Sequence, residues 1–463
     1  MRITFCGGVT SVTGANFLSE IHKSDGTVLT FLVDCGMEQG TDRAKVYNAS
    51  PFVFNPAKVD ILLVTHAHMD HIGLIPKLVR HGFRGTIYST PETRDLSVFM
   101  LEDCLKLVTQ EADEAGVDPL FEAQDVRHAF ELWKTIPYHK DFTLFKHKKE
   151  KVTVFLKDAG HVLGSSMFEV SVPLNGETRK VLFTGDLGNS PAPILKDTEK
   201  IEGVDYVIME SVYGDRNHED KPERLRKLQQ AIEDTIERQG ILLVPSFSLE
   251  KTQEVLYEIN RLFEDGVVKE IPLYLDSPLA TKLLPIYKKY TKDYNSEATE
   301  RRRRGDDILN FKTLKIIHDA EESKAIKFTK NPKIIMAGSG MSTGGRILHH
   351  ELNYISDKKT ILLFMGFQAL GTLGREIRDG AKQVTIYGHQ VPVHAEIRTI
   401  DGYSGHKDSD HLVSFVEDTA QSVRRVFVAM GESKSALFLV QRLRDYLGVD
   451  AIHPQDGDNF IIS

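Results

Sequence analysis

The chain has 463 residues, of which 41% are hydrophobic and 27% charged, and its formal net charge is −8. At roughly 150 residues per domain this length means about two or three domain-sized units, and the ordinary composition excludes wholesale disorder. No run reaches about 18 consecutive apolar residues, so no membrane-spanning helix is expected; the acidic balance excludes a wholly basic nucleic-acid coat but leaves room for a local basic groove.

Met1-Arg2-Ile3-Thr4-Phe5 reads as a first strand and lacks the apolar core of a signal peptide. Three cysteines, Cys6, Cys35 and Cys104, are too few for a disulfide framework and suit a reducing cytoplasm, so a cytoplasmic location is expected. Val59–Thr65, Val181–Thr184 and Asp205–Met209 read as buried strands. They end at His66, at Gly185-Asp186 and at Glu210, and open α/β sheets place their chemistry at such strand ends.

From about Gly240 the texture changes to longer strand–loop–helix units. Ile241–Pro245 is a strand, and Ser246 and Ser248 are placed to cap a following helix through Leu249, Val255, Leu256, Ile259 and Leu262. Residues 286–330 are heavily charged and predicted helical. Lys333–Ala337 and Thr360–Phe364 are further strands, the first followed by a glycine-rich loop, Gly338–Arg346. A last strand, Arg425–Ala429, leads to a helix near Ala436–Leu447. Polar His/Asp-rich loops on both sides of the middle section indicate a second unit inserted in the first. The expected division is 1–203 and 376–463 for the outer unit and 204–375 for the insert.

The densest chemistry is His66-Ala67-His68-Met69-Asp70-His71. It gathers three of the chain's 18 histidines and a carboxylate in six positions, which a chance solvated loop does not explain. Imidazole and carboxylate are ligands for zinc and related divalent ions. His66 and His68 can turn to one point while Asp70 and His71 turn to a second, a division that suits two metals about 3.5–4 Å apart. Asp158-Ala159-Gly160-His161 and Gly185-Asp186 are weak signals alone and specific in combination with this cluster.

With Asp34 in Phe31-Leu32-Val33-Asp34-Cys35-Gly36, these pieces resemble the metallo-β-lactamase superfamily. The resemblance implies that His66, His68 and His161 hold a first metal, that Asp70 and His71 belong to a second, and that Asp186 bridges. Asp34 would be a buried acid that fixes the ligand loop. Glu210–Asp215, Leu273–Pro278, Gly338–Met341, Gly366–Arg375 and Gly402–His406 narrow the likeness to the β-CASP nucleases, which process RNA or DNA. The fold implied is α/β: a metallo-β-lactamase αββα sandwich with an inserted β-CASP α/β domain. Asp70, Glu210 and His406 would carry catalysis. His406 would protonate the departing ribose oxygen or stabilise phosphate charge, and Glu210 would accept its other N–H.

The Gly338–Gly345 loop is not a G-x-G-x-x-G fingerprint. Its backbone can hold a phosphate, with Ser339, Gly340 and Arg346 as candidates, or it is a plain tight turn. The basic runs Lys146, Lys148, Lys149, Lys151 and Arg301–Arg304 read as solvated faces, and His389 and His394 receive no role. Met430, in Ala429-Met430-Gly431-Glu432, stands where RNA-cutting relatives carry a metal-ligating histidine, and a thioether suits zinc or manganese poorly. The expected metals are therefore one tight Zn²⁺ and a weaker second ion, with Mn²⁺ as an alternative. The expected activity is hydrolysis of single-stranded RNA, internally or from a 5′ end; a homodimer is compatible with it. The alternatives are a DNA-processing β-CASP nuclease, a small-ester hydrolase, and a catalytically weak scaffold partner, which the intact His-x-His-x-Asp-His cluster disfavours.

Overall fold

Long apolar runs in this chain become strands buried on both faces. The computed structural model describes residues 1–463 except 24, 41, 148, 149, 175, 367 and 370, and the side chains of 42, 43, 147 and 150 lie outside it. Two compact units are present: Met1–Ser190 with Asp197–Asn217 and His406–Ser463, and Pro191–Lys196 with His218–Gly405.

The first unit contains two seven-stranded sheets. One runs in the order Asn459–Ile461, Arg2–Gly7, Asn16–His22, Val28–Val33, Ile61–Leu63, Thr86–Ser89 and Trp133–Thr135. The other runs Ala451–Ile452, Arg425–Val428, Tyr206–Met209, Glu177–Phe183, Ser166–Leu174, Glu150–Asp158 and Phe142–His147. Phe5, Phe31, Phe168, Phe183 and Phe427 from both sheets share one buried core. The rings of Phe31 and Phe183 meet edge to face at 6.2 Å, a geometry worth about 0.5–1.5 kcal/mol beyond area burial. On the outer face of the second sheet, Leu182, Val207 and Val428 pack with Leu412, Phe415, Leu439 and Leu443 of helices Ser409–Glu417 and Ser433–Leu447. Beside the first sheet, helix Pro91–Ala115 buries Leu96, Met100, Leu101, Cys104, Val108 and Ala112, a stripe at helical spacing.

The second unit is built on a six-stranded, wholly parallel sheet. Its order is Leu314–Ile316, Leu273–Asp276, Lys333–Ala337, Ile241–Pro245, Thr360–Phe364 and Glu396–Thr399. The middle strands are buried at every position, as parallel strands covered on both faces must be. An antiparallel hairpin, Gln383–Ile386 with His389–Pro392, stands apart from that sheet. No helix among the described residues is long and apolar enough to cross a membrane.

By packing, the two units divide at Asn217/His218 and Gly405/His406. Strand pairing accounts for these seams: Tyr206–Met209 bonds between Glu177–Phe183 and Arg425–Val428, whereas Glu396–Thr399 bonds to Thr360–Phe364. Two sequence expectations change. Residues 286–330 are not one helical surface, because helices Pro278–Lys289, Ser296–Arg303 and Ala320–Ala325 are interrupted by the edge strand Leu314–Ile316. Ser246 and Ser248 do not cap the helix Lys251–Glu264; Ser246 Oγ meets Thr252 Oγ1 at 2.9 Å and Ser248 Oγ meets Ser277 Oγ at 3.1 Å.

Candidate metal centre

Strand Ile61–Leu63 ends three residues before His66, and the chain then turns through His68 into the single helical turn Met69–Ile72. A bed of backbone hydrogen bonds fixes that turn. Cys35 N–H donates to the His71 carbonyl at 2.9 Å and Ala15 N–H to the Asp70 carbonyl at 3.0 Å. Gly36 is required there: a Cβ would lie 1.5 Å from the Asp70 carbonyl oxygen. On the opposite side, a Cβ on Gly188 would lie 1.8 Å from the Gly160 carbonyl, so the loops carrying Asp186 and His161 meet backbone to backbone there.

Asp34 sets the tautomers. Its carboxylate accepts from Thr65 N–H at 2.7 Å, from Thr65 Oγ1 at 2.7 Å and from His71 Nδ1 at 2.7 Å. A hydroxyl has one proton, so Thr65 Oγ1, having given it to Asp34, offers a lone pair to His66 Nδ1 at 3.1 Å. With Nδ1 so engaged, each ring in its neutral form has Nε2 as its free lone pair and turns it to the centre.

Those bare nitrogens converge. His68 Nδ1 lies 3.1 Å from His66 Nε2 and 3.1 Å from His161 Nε2. Ligands 2.0–2.1 Å from a tetrahedral zinc are about 3.3 Å apart, so this spacing suits a shared cation. Asp186 Oδ2 is 3.6 Å from both His66 Nε2 and His161 Nε2. The other Asp186 oxygen, Oδ1, lies 3.4 Å from His71 Nε2, and Asp70 Oδ2 lies 3.9 Å from the same nitrogen. His71 Nε2 is buried and finds no hydrogen-bond partner among the described residues. An orphaned ring nitrogen between two carboxylates fits a second cation; Asp186 is shared by these two candidate sets and by a third grouping with Glu210 and His406.

Electrostatics describe the same site from the proton's side. Burial opposes charge on His71, yet Asp186 and Asp34 outweigh it and hold its pKa well above the usual value. Burial, with the neighbouring His71, holds His66 well below. Burial lifts Asp70 to about 6 against the pull of His71. His71 and Asp70 thus hold protons that a divalent cation would displace on binding, whereas His66 does not.

Glu210 ends strand Tyr206–Met209 and is wholly buried. Its Oε1 accepts from Leu187 N–H at 2.6 Å and meets His406 Nδ1 at 3.2 Å. His406 Nδ1 is also 3.9 Å from Asp186 Oδ2. Burial opposes a charge on His406, but Glu210, Asp186 and Asp70 lift its pKa to about 9. All of the predicted metal and acid–base residues, with Asp34, therefore lie together within the first unit. Met430 is buried in the inter-sheet core with φ +49°; its N–H donates to the Gly8 carbonyl at 2.9 Å, and its carbonyl accepts from the N–H of Ser211, the residue after Glu210, at 3.3 Å.

Two residues of the centre were not anticipated. Thr65 was legible only as the last residue of a strand, since its role depends on where its single proton goes. Lys407 is buried, and its Nζ donates to the Gly188 carbonyl at 2.9 Å and to Ser190 Oγ at 3.3 Å. That ties the residue after His406 to the loop after Asp186. No sequence signal points to it, because its partners lie more than two hundred residues away.

The glycine-rich loop lies in the second unit. Thr343 N–H donates to Ser339 Oγ at 3.0 Å, and Gln368 Nε2 donates to the Gly340 carbonyl at 2.9 Å. Arg346 forms an ion pair with Asp276, which also accepts from His350 Nε2 at 2.7 Å. The Arg346 guanidinium is thus partly neutralised before any phosphate arrives. Phe367 and Leu370 of the Gly366–Arg375 segment lie outside the described residues, as do Lys148 and Lys149 of the first basic run. In the second run, Arg301 pairs with Asp265 at 2.7 Å and Arg304 with Glu300 at 3.1 Å. Exposed pairs of this kind contribute about 0–1 kcal/mol.

Behind the loop, Ser342 Oγ donates to the fully buried Glu351 at 2.5 Å. Burial raises the Glu351 pKa from 4.5 to about 7. A carboxyl that is neutral when folded and ionised when unfolded loses stability as pH rises between those values. Wild-type unfolding free energy is therefore expected to decline from about pH 4.5 to 7 by on the order of 2–3 kcal/mol more than that of Glu351→Gln. Denaturant titrations of both proteins at pH 5 and pH 8 check this; parallel pH profiles would refute it.

Fold and site together define a metallo-hydrolase. Residues 23–205 match the metallo-beta-lactamase superfamily domain, residues 252–377 the Beta-Casp domain, and residues 390–454 the Zn-dependent metallo-hydrolase RNA specificity domain. The chain is 35% identical over 440 residues to Ribonuclease TTHA0252 of Thermus thermophilus, covering 95% of both chains. It is 31% identical over 445 residues to an RNase J-like protein of Methanocaldococcus jannaschii, covering 95% of this chain and 94% of that one. Transcription termination factor FttA of Methanosarcina mazei is 28% identical over 465 residues, 97% of this chain and 70% of that protein. The chain belongs to the metallo-β-lactamase superfamily, among its β-CASP ribonucleases.

Proposed function

We propose that this chain hydrolyses phosphodiester bonds of single-stranded RNA at the centre formed by His66, His68, Asp70, His71, His161 and Asp186. The observation that carries the reading is the convergence of three ring nitrogens and the Asp186 carboxylate, beside the orphaned His71 Nε2. His66, His68, His161 and Asp186 would hold one zinc, and Asp70, His71 and Asp186 a second ion. Such an ion supplies Lewis acidity and an activated water for in-line attack on phosphorus. Glu210 accepts the Nδ1 proton of His406, which leaves the Nε2 proton for the departing ribose oxygen. Ser339, Gly340 and Arg346 are retained as backbone-phosphate contacts, with Arg346 turning between Asp276 and the RNA.

Products from a 5′-labelled single-stranded RNA, with zinc restored, test the activity. Mononucleotides indicate exonucleolytic cutting and discrete fragments endonucleolytic cutting; intact RNA alongside cleaved single-stranded DNA would refute the RNA assignment. The metal stoichiometry has its own test. With Met430 in the core, the second set has three protein donors and is expected to fill only at higher zinc or manganese. Calorimetry should resolve a tight and a weaker event, and Met430→His should tighten the weaker one. Two equally tight events, unchanged by the substitution, would overturn the asymmetry.

A further inference from the structure

The hairpin Gln383–Ile386/His389–Pro392 is closed by two residues, Tyr387 and Gly388, whose φ angles are +50° and +78°. Positive φ at both central positions is the type I′ turn, for which Asn-Gly is the favoured pair. A bulky aromatic side chain is disfavoured at the first position. The turn thus keeps a residue that its own backbone does not prefer. Packing does not explain the choice, because Tyr387 is 51% exposed.

What Tyr387 does touch is another exposed ring. Its centroid lies 5.0 Å from that of His349, with 38° between the planes. His349 sits on helix Arg346–Tyr354, and the solvent side of that helix is free of carboxylates: its one acidic residue, Glu351, is buried. Arg346 lies one turn before His349 on the same face. One turn after it, Asn353 accepts a hydrogen bond from Lys327 Nζ at 3.2 Å. Exposed aromatic faces beside cations, here Lys327 and an Arg346 that Asp276 partly neutralises, are the means by which proteins hold single-stranded nucleic acid.

We propose that Tyr387, backed by His349, is a stacking platform for a base of the single-stranded RNA substrate. This rests on the ribonuclease reading above. The platform is independent of base identity, since every base offers a π-face, and the neighbouring Arg346 and Lys327 take the phosphates that flank the stacked base. A protein partner would use the same rings differently and would leave RNA affinity untouched.

The test is Tyr387→Asn, which gives the turn its preferred residue and removes the ring. The Tm should be unchanged or higher. The Kd for a fluorescein-labelled single-stranded RNA, measured by anisotropy in EDTA so that nothing is cut, should weaken roughly 5- to 100-fold, as for one lost base stack. Tyr387→Phe should bind like wild type, and His349→Ala should fall between. With zinc restored, Tyr387→Asn should raise KM for RNA and leave hydrolysis of bis(p-nitrophenyl) phosphate unchanged. Equal RNA affinity in wild type and Tyr387→Asn, in a protein that cuts RNA, overturns the platform alone. A wild type that neither binds nor cuts RNA overturns the ribonuclease reading and the platform with it.

Discussion

His68→Ala protein is expected to purify without its tightly held zinc and to show no RNA hydrolysis above that of the chelated wild type. His68 Nδ1 is the donor common to both 3.1 Å contacts in the nitrogen triangle. Removing it leaves His66, His161 and Asp186 at the first set, and a zinc centre loses most of its affinity with one ligand of three or four. The fold should survive, since His68 is half-buried at the mouth of the site and the surrounding backbone bonds do not use its ring. Elemental analysis, thermal unfolding and a gel assay on labelled RNA together check this. A folded, metal-free His68→Ala protein with wild-type activity would end the metal reading.

His406→Ala should separate chemistry from metal binding. Its ring approaches the centre from a chain segment that enters after the whole insert, and its Nδ1 meets the Glu210 carboxylate at 3.2 Å. Loss of a positioned general acid lowers turnover by about 10²–10⁴-fold. Zinc content should stay near that of wild type, because His66, His68 and His161 remain. Glu210→Gln should act in the same direction and more weakly: the amide still meets His406 but no longer holds a charge opposite it. A His406→Ala protein that has lost its zinc would make His406 a ligand, and one that cuts RNA at the wild-type rate would leave it without a role.

How much of this was legible in the sequence depends on the range of each interaction. The His66–His71 cluster is local, follows a buried strand and announces its chemistry in six residues. Asp34, His161, Asp186, Glu210 and His406 are single polar residues in loops, and only their order and context, matched to a family, single them out. Contacts that turn on one proton or one distant carbonyl were not legible, as Thr65 and Lys407 show. Neither was the partner of Arg346: Asp276 lies at the end of a different strand, and only the parallel register brings it to the glycine loop. The edge strand Leu314–Ile316 hid within a charged segment because three residues with a lysine in the middle carry too little apolar signal. Composition does not mark where hydrogen bonding passes from one sheet to another, so the seams at Asn217/His218 and Gly405/His406 carry no signal of their own in the sequence.

The pairing of Tyr206–Met209 with Arg425–Val428 has a kinetic side. These neighbouring strands are separated by more than two hundred residues of chain, nearly all of it the second unit. Joining them through an unstructured loop of that length costs roughly 5 kcal/mol of closure entropy. An insert that has already condensed on its own parallel sheet is a far shorter tether. Productive folding therefore favours an order in which the middle of the chain is structured before the two halves of the outer sheet meet. His406, the first residue after the insert, reaches Glu210 only once that meeting has occurred, so the acid–base pair is completed after the metal-ligand loops, all of which precede the insert.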